Sequence, residues 1–263
     1  MSDVVDRAAH AFVGAWTWLA QRLDNGVHGE HDGVVVAATG LPAPPLNPAF
    51  VVREPTRPEE SLRWAAALRR ERGAPSTGVD LPDARFPETE AALERLGFVR
   101  HVSRPGMSAA VDGVRRRPAP GGLDIRPVRS EADWVGYVEV QVDAFGLDPA
   151  IAAEFPPYRL VGPDRPMELL VGAVDGEVTC AVATFVTGRD AGIFAVATRS
   201  THRGEGHGSA ITTAAVNVAA RMGAEVVSLQ STADGFPVYR ALGFVETAAW
   251  VVWVDPAVEP GAD

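Results

Sequence analysis

The spacing of apolar residues changes several times along the chain, and each change marks an element. From Val4 to Asp24 apolar side chains recur at Val5, Ala8, Ala9, Phe12, Trp16 and Leu19, three and four apart, which predicts an amphipathic helix. Short runs at 34–38 and 49–52 read as strands, separated by the proline-dense Leu41-Pro-Ala-Pro-Pro-Leu-Asn-Pro48. Pro58 to Gly73 reads as a helix, with proline and acids in its first turn, Arg69, Arg70 and Arg72 in its last, and glycine as the stop. A short extended piece at Gly78–Leu81, a helix over Pro87–Leu96 and a strand pair or bent strand over Phe98–Val111 follow.

The periodicity lapses at Val114-Arg-Arg-Arg-Pro-Ala-Pro-Gly-Gly122, whose charge, proline and glycine read as a linker. Leu123 to Val128 then alternates as a strand, and Ser130 with its early acids suits the N-cap of a helix over Trp134–Phe145, with a second segment near Pro149–Pro156. Glu168–Val174 and Glu177–Val186 flank Asp175-Gly176, the strongest hairpin signal in the chain. Gly192 to Ala197 is a strand; a glycine-bearing loop, a helix over Ala210–Met222, a strand over Val226–Gln230 and a short helix into Gly243-Phe244 come next. The runs around Val245 and Ala249–Val254 are expected to complete the second sheet, and 255–263 to be a mobile tail.

The halves echo each other. Leu96-Gly-Phe-Val99 recurs as Leu242-Gly-Phe-Val245, an offset of 242 − 96 = 146, and helix, short strand, helix and Leu-Gly-Phe occur in the same order in both. At that offset Arg57 falls under Arg203, Glu60 under Gly206, Leu62 under Gly208 and Leu93 under Tyr239.

Composition bounds the rest. With 263 residues, 46% hydrophobic and 22% charged, the chain is long enough for one or two domains with a sizeable core. A formal net charge of −10 argues against a nucleic-acid partner, since phosphate-backbone binding needs a basic face. The single cysteine, Cys180, excludes an internal disulfide and sits in an apolar run as a buried, inert thiol. No stretch reaches eighteen apolar residues and the start lacks the basic region of a signal peptide, so a cytoplasmic protein with no membrane partner is expected. His28 and His31 lack Cys or carboxylate partners at ligand spacing and read as surface residues; no metal is expected.

Chemistry concentrates in Arg203-Gly-Glu-Gly-His-Gly-Ser209, which runs from a strand into a helix. The first backbone N–H groups of a helix have no partners within it, and with the helix dipole they favour a phosphate or pyrophosphate. Glycines let the chain bend so that several N–H groups converge, with no Cβ in the ligand's way. A nucleoside-triphosphate loop needs Gly-Lys-Ser/Thr, which is absent, and the glycine spacing is one residue short of a dinucleotide fingerprint.

What remains, Arg203-x-x-Gly206-x-Gly208, resembles the Q/R-x-x-G-x-G/A acyl-coenzyme A loop of the GCN5-related N-acetyltransferase (GNAT) superfamily. Tyr239, four residues before Gly243-Phe244 on a short helix after the next strand, is similar to the family's L-Y-x-x-x-G-F segment. The resemblance spans roughly 121–254. It implies an α/β fold with a mixed, mostly antiparallel central sheet flanked by helices, and a tandem of two such domains. The expected domains are a degenerate copy over 1–113, or in the alternative an unrelated α+β domain with a chance Leu-Gly-Phe, then a linker over 114–122 and a catalytic domain over 123–254. It implies acetyl-CoA as co-substrate, with the pyrophosphate on Arg203, Gly204, Glu205, Gly206, His207, Gly208 and Ser209, and the pantetheine arm on Val196, Ala197 and Thr198, between splayed strands. Tyr239 is expected to protonate the departing thiolate. Where relatives often carry a helpful asparagine this chain has Ser231 or Thr232, which leaves that contact open. The acceptor implied is a primary amine of a small molecule or peptide, with a homodimer allowed. No acid lies in Gly192–Ala197, and Glu139, Asp143 and Glu168 read first as solvated charges, so no general base is assigned. The alternative is a non-catalytic acyl-CoA-binding or regulatory protein.

Overall fold

The computed structural model describes residues 2–74, 78–154, 160–162 and 164–256. In chain order the elements are α1 (Ser2–Ala20), β1 (Val27–His31), β2 (Val34–Ala38), β3 (Ala49–Val51), α2 (Pro58–Glu71), β4 (Gly78–Pro82), α3 (Pro87–Arg95), β5 (Val99–Arg104) and β6 (Gly106–Ala110). There follow β7 (Asp124–Pro127), α4 (Glu131–Phe145), α5 (Pro149–Glu154), β8 (Met167–Val174), β9 (Glu177–Thr187) and β10 (Asp190–Thr198). The last are α6 (His207–Arg221), β11 (Val226–Gln230), α7 (Phe236–Leu242), β12 (Val245–Glu246) and β13 (Trp250–Val254). The expected elements over the described residues are present, mostly shifted by one to four residues at their ends. Residues 155–156 and 257–263, which carry the end of the Pro149–Pro156 segment and most of the expected tail, lie outside the described residues.

The elements form two compact units. One, the carboxy-terminal unit, holds Met1–Phe12 and Met107–Thr247; the other, the amino-terminal unit, holds Val13–Gly106 and Ala248–Asp263. The amino-terminal sheet runs β1-β2-β3-β4-β13-β5, and the carboxy-terminal sheet β12-β6-β11-β10-β9-β8-β7. Read in the same sense the two orders match: an antiparallel run, one parallel pair (β3–β4, β10–β11), an inserted strand, and an edge strand. The inserted strands are exchanged. β13 pairs with β4 and β5, whereas β6 lies between β11 and β12.

The expectation that 249–254 completes the second sheet is therefore corrected, as is a single strand pair over 98–111: β5 and β6 belong to different sheets. An apolar run encodes that it will be a strand; which of two like slots it fills is decided by non-local pairing. Within the stretch 114–122, expected as linker, the Arg115 N–H donates to the Leu242 carbonyl and Arg116 Nε to Asn217 Oδ1, both inside the carboxy-terminal unit.

Local chemistry explains the elements. The β1–β2 and β8–β9 hairpins turn on Asp-Gly, with φ of +45° and +84° at Asp32-Gly33 and +49° and +89° at Asp175-Gly176, the left-handed pair whose twist suits a two-residue hairpin loop. α4 starts at a capping box, in which the Ser130 hydroxyl accepts from the Asp133 N–H and the Asp133 carboxylate accepts from the Ser130 N–H. Its buried face, Asp133, Gly136, Tyr137, Val140 and Gln141, repeats every three and four residues and packs on β9 and β10. α6 covers the opposite face, with Ile211, Ala215, Val216 and Ala219 in the core cluster of Val182, Ile193, Val227 and Phe244.

Candidate active site

The site begins where β10 and β11 part. They pair in parallel only from Asp190–Val226 to Gly192–Ser228. Beyond that point β10 bulges, its register to β9 shifting between Phe194 and Ala197, and Ala195 takes φ of +52°. A non-glycine residue in that region is strained and must be held. The holding group is Gln141, buried on α4, whose side-chain Nε2 donates to the Ala195 carbonyl at 2.9 Å.

Past the bulge the chain turns through a short 3₁₀ turn at Ser200–His202 into the glycine loop, with Gly204 at φ +82° and Gly206, the N-cap of α6, at +90°. These conformations are what glycine is needed for here, and they leave the first-turn N–H groups of α6 facing a cavity of about 540 Å³. Val196, Ala197, Thr198, Arg203, Gly204, Gly206, His207, Gly208, Ser209 and Tyr239 all line it. Of the expected residues Glu205 and Ser231 do not. Glu205 faces the His207 ring at 3.7 Å, and the buried Ser231 hydroxyl donates to the Thr232 carbonyl at 2.7 Å.

His207 is buried at the first position of α6, its Nδ1 3.0 Å from the Thr179 hydroxyl, and its ring stacks on His202 with centroids 5.5 Å apart. Burial holds its pKa below the usual imidazole value; Glu205 opposes this and His202 adds to it. Tyr239 packs edge-on against Phe244 and is nearly buried, which raises its pKa above the usual phenol value and keeps the proton on it at neutral pH. Its ring is seated by Gly235, where a Cβ would stand 2.8 Å from Tyr239 Cε2.

The acids considered as bases are all engaged. Glu168 takes two 2.7 Å bonds from Arg129, Glu139 accepts from Arg199, and Asp143 accepts the Ser200 N–H and hydroxyl. Those bonds from Ser200 hold the Asp143 carboxyl below its ordinary value. Sequence reasoning missed Gln141, Gly235, Asp234 and the apolar lip Ala144–Phe145, which also belong to this site. A signal for Gln141 existed: a polar residue in the buried stripe of a helix needs a buried partner. Among the described residues no group of three His, Cys, Asp or Glu side chains is placed to hold a metal.

The amino-terminal unit has the same loop position differently filled. Arg57 is the N-cap of α2 as Gly206 is of α6, so the 146 offset, which put Arg57 under Arg203, drifts to 149 here. At the Leu-Gly-Phe segment it holds: Phe98 N–H donates to Leu93 as Phe244 N–H does to Tyr239, and buried Leu93 stands where Tyr239 stands. Ahead of α2 the N–H groups of Thr56 and Arg57 are taken by the Asp32 carboxylate at 2.7 and 3.2 Å, with the Thr56 hydroxyl at 3.1 Å. Burial opposes ionisation of Asp32, but these bonds outweigh it and lower its pKa. Glu54 likewise accepts the Thr89 N–H and hydroxyl at the start of α3.

A mixed sheet that splays beside a glycine loop on a helix N-terminus, with a phenol across the gap, defines an α/β protein with a ready anion cradle. Residues 134–244 match the family described as acetyltransferase (GNAT). The fold is similar over 95% of both chains to a GCN5-related N-acetyltransferase from Kribbella flavida (19% identity, TM-score 0.75). It is also similar to one from Sphaerobacter thermophilus (18% identity, 88% of this chain and 78% of that chain, TM-score 0.60). A tandem GNAT protein from the clavulanic acid biosynthesis pathway is similar over 90% of this chain and 80% of that chain (17% identity, TM-score 0.60). No curated protein gives a significant match.

Proposed function

We propose that the protein is an N-acyltransferase that moves an acetyl group from acetyl-CoA to a primary amine of a small molecule or peptide, with one working site, in the carboxy-terminal unit. The observation that carries this reading is that Arg203, Gly204, Gly206–Ser209 and Tyr239 line one cavity, beside Val196–Thr198 of β10 past the point where β10 and β11 part. The loop N–H groups and Arg203 suit a pyrophosphate, and the parted strand edge suits the amides of the pantetheine arm. In the reaction the amine nitrogen bonds to the thioester carbon, the C–S bond breaks, and the sulfur takes the Tyr239 proton. The proton lost by the amine restores the phenol through water. Positioning of the two reactants supplies much of the rate.

Titration of acetyl-CoA into the full chain tests the reading, with Gly206→Glu as the control. At φ +90° any side chain costs about 1–2 kcal/mol, and a carboxylate would face the phosphates, so binding should vanish. Unchanged affinity would remove the loop assignment. Release of free thiol on mixing with a panel of amines tests turnover.

A second reading, a coenzyme-binding protein without catalysis, draws on the engagement of Glu139, Asp143 and Glu168 with arginine or backbone donors. It predicts tight binding and no thiol release with any amine.

A further inference from the structure

We infer that Gln141 is a positioning residue for the acyl half of the coenzyme, acting through the Ala195 carbonyl. α4 presents Gln141 on its buried face, beside Tyr137 and Val140, where an amide is kept only if its polar atoms are paired. The partner it reaches is the one residue of β10 held at positive φ, at the register shift that separates β10 from β11.

The peptide unit is planar and trans, so a carbonyl and the N–H of the following residue point opposite ways. A grip on the Ala195 carbonyl therefore fixes the direction of the Val196 N–H, opposite to that carbonyl. Val196 lines the cavity. A strand whose amide direction is set before binding loses less free energy on meeting a ligand than one that must be ordered. The phosphate loop, Arg203–Ser209, lies beyond this grip in the chain, and its geometry is set by its own glycines and by α6. Gln141 thus acts on the thioester and pantetheine end and leaves the phosphate end alone. This role rests on the coenzyme reading above.

The test is titration of two probes into the full chain: acetyl-CoA, and adenosine 3′-phosphate 5′-diphosphate, which is the coenzyme without its pantetheine arm. In Gln141→Leu, which keeps the bulk and removes the donor, acetyl-CoA affinity should fall about tenfold, the scale of one lost hydrogen bond, while the nucleotide binds as before. If Gln141→Leu fails to fold, Ala195→Val, whose branched side chain resists φ +52°, should show the same selective loss. Unchanged acetyl-CoA affinity, or an equal loss for both probes, overturns the assignment. Wild-type protein that binds neither probe overturns the coenzyme reading instead.

Discussion

Cutting the chain at its apparent linker should damage the site it is meant to isolate. A fragment that begins at Gly121 keeps α6, β10, β11 and α7 but discards β6, which lies between β11 and β12. With β6 go Met107, 1% exposed and part of the core with Leu229 and Phe244, the nearly buried Ala109, and Ser108, whose hydroxyl pairs with that of Ser228 at 2.9 Å. Loss of a buried methionine costs about 2–5 kcal/mol, and a stranded buried hydroxyl about 1–3 kcal/mol. Set against a typical domain stability of about 5–15 kcal/mol, the fragment should be unfolded or nearly so. It also carries β13 without its sheet, exposing Trp250 and Trp253, which are buried in the whole chain. A fragment over 106–247, of nearly equal length, keeps β6 and omits β13. Circular dichroism melts and tryptophan emission compare the two: 106–247 should melt cooperatively, and 121–263 should show red-shifted emission and no sharp transition. A cooperative melt and full coenzyme affinity from 121–263 would refute the reasoning, because it would mean that β13 can take the slot of β6.

Other outcomes follow from single side chains. Tyr239→Phe should lower turnover about a hundredfold, as loss of a general acid does, with acetyl-CoA affinity unchanged by calorimetry; equal turnover at every pH would end that role. Asp80 has its carboxyl pushed up to about 7 by burial, against the pull of Arg104 and Arg69. Its folded form therefore holds a proton that the unfolded chain releases near pH 4, so stability should fall as pH rises from about 4 to 7. Asp80→Asn should remove that loss and stabilise the protein above pH 7, by at most about 4 kcal/mol at 1.36 per unit, as read in urea melts at pH 4 and pH 8. Asp32→Ala should lower the thermal melting point of the amino-terminal unit, as loss of a helix-start acceptor does, and leave acetyl-CoA affinity untouched by calorimetry.

Much of this fold was legible in the chain because its signals are local. The Asp175-Gly176 turn, the Ser130 cap and the Gly204–Gly208 loop state their own conformations, and the helix and strand runs around them carry the right periods. Two things were not. The exchange of β6 and β13 turns on which of two alike slots an apolar strand enters, and no residue of Trp250–Val254 names its sheet. Nor could the engagement of Glu139, Asp143 and Glu168 be read, since their partners Arg199, Ser200 and Arg129 lie 60, 57 and 39 residues away. The drift of the repeat offset from 146 to 149 ahead of α2 was not legible either, since a surface loop changes length at little cost in closure entropy.

Asp32 at the start of α2 is in effect a tethered ligand. Its carboxylate meets Thr56 and Arg57 at an effective concentration fixed by the chain, of the millimolar order or above for a short tether. A diffusible anion would have to compete with it at every moment. Under the coenzyme reading the two repeats then differ in what sets their order. The loop ahead of α6 would gain stability as coenzyme rises above its dissociation constant, whereas the acceptor ahead of α2 belongs to the chain itself and its supply does not vary.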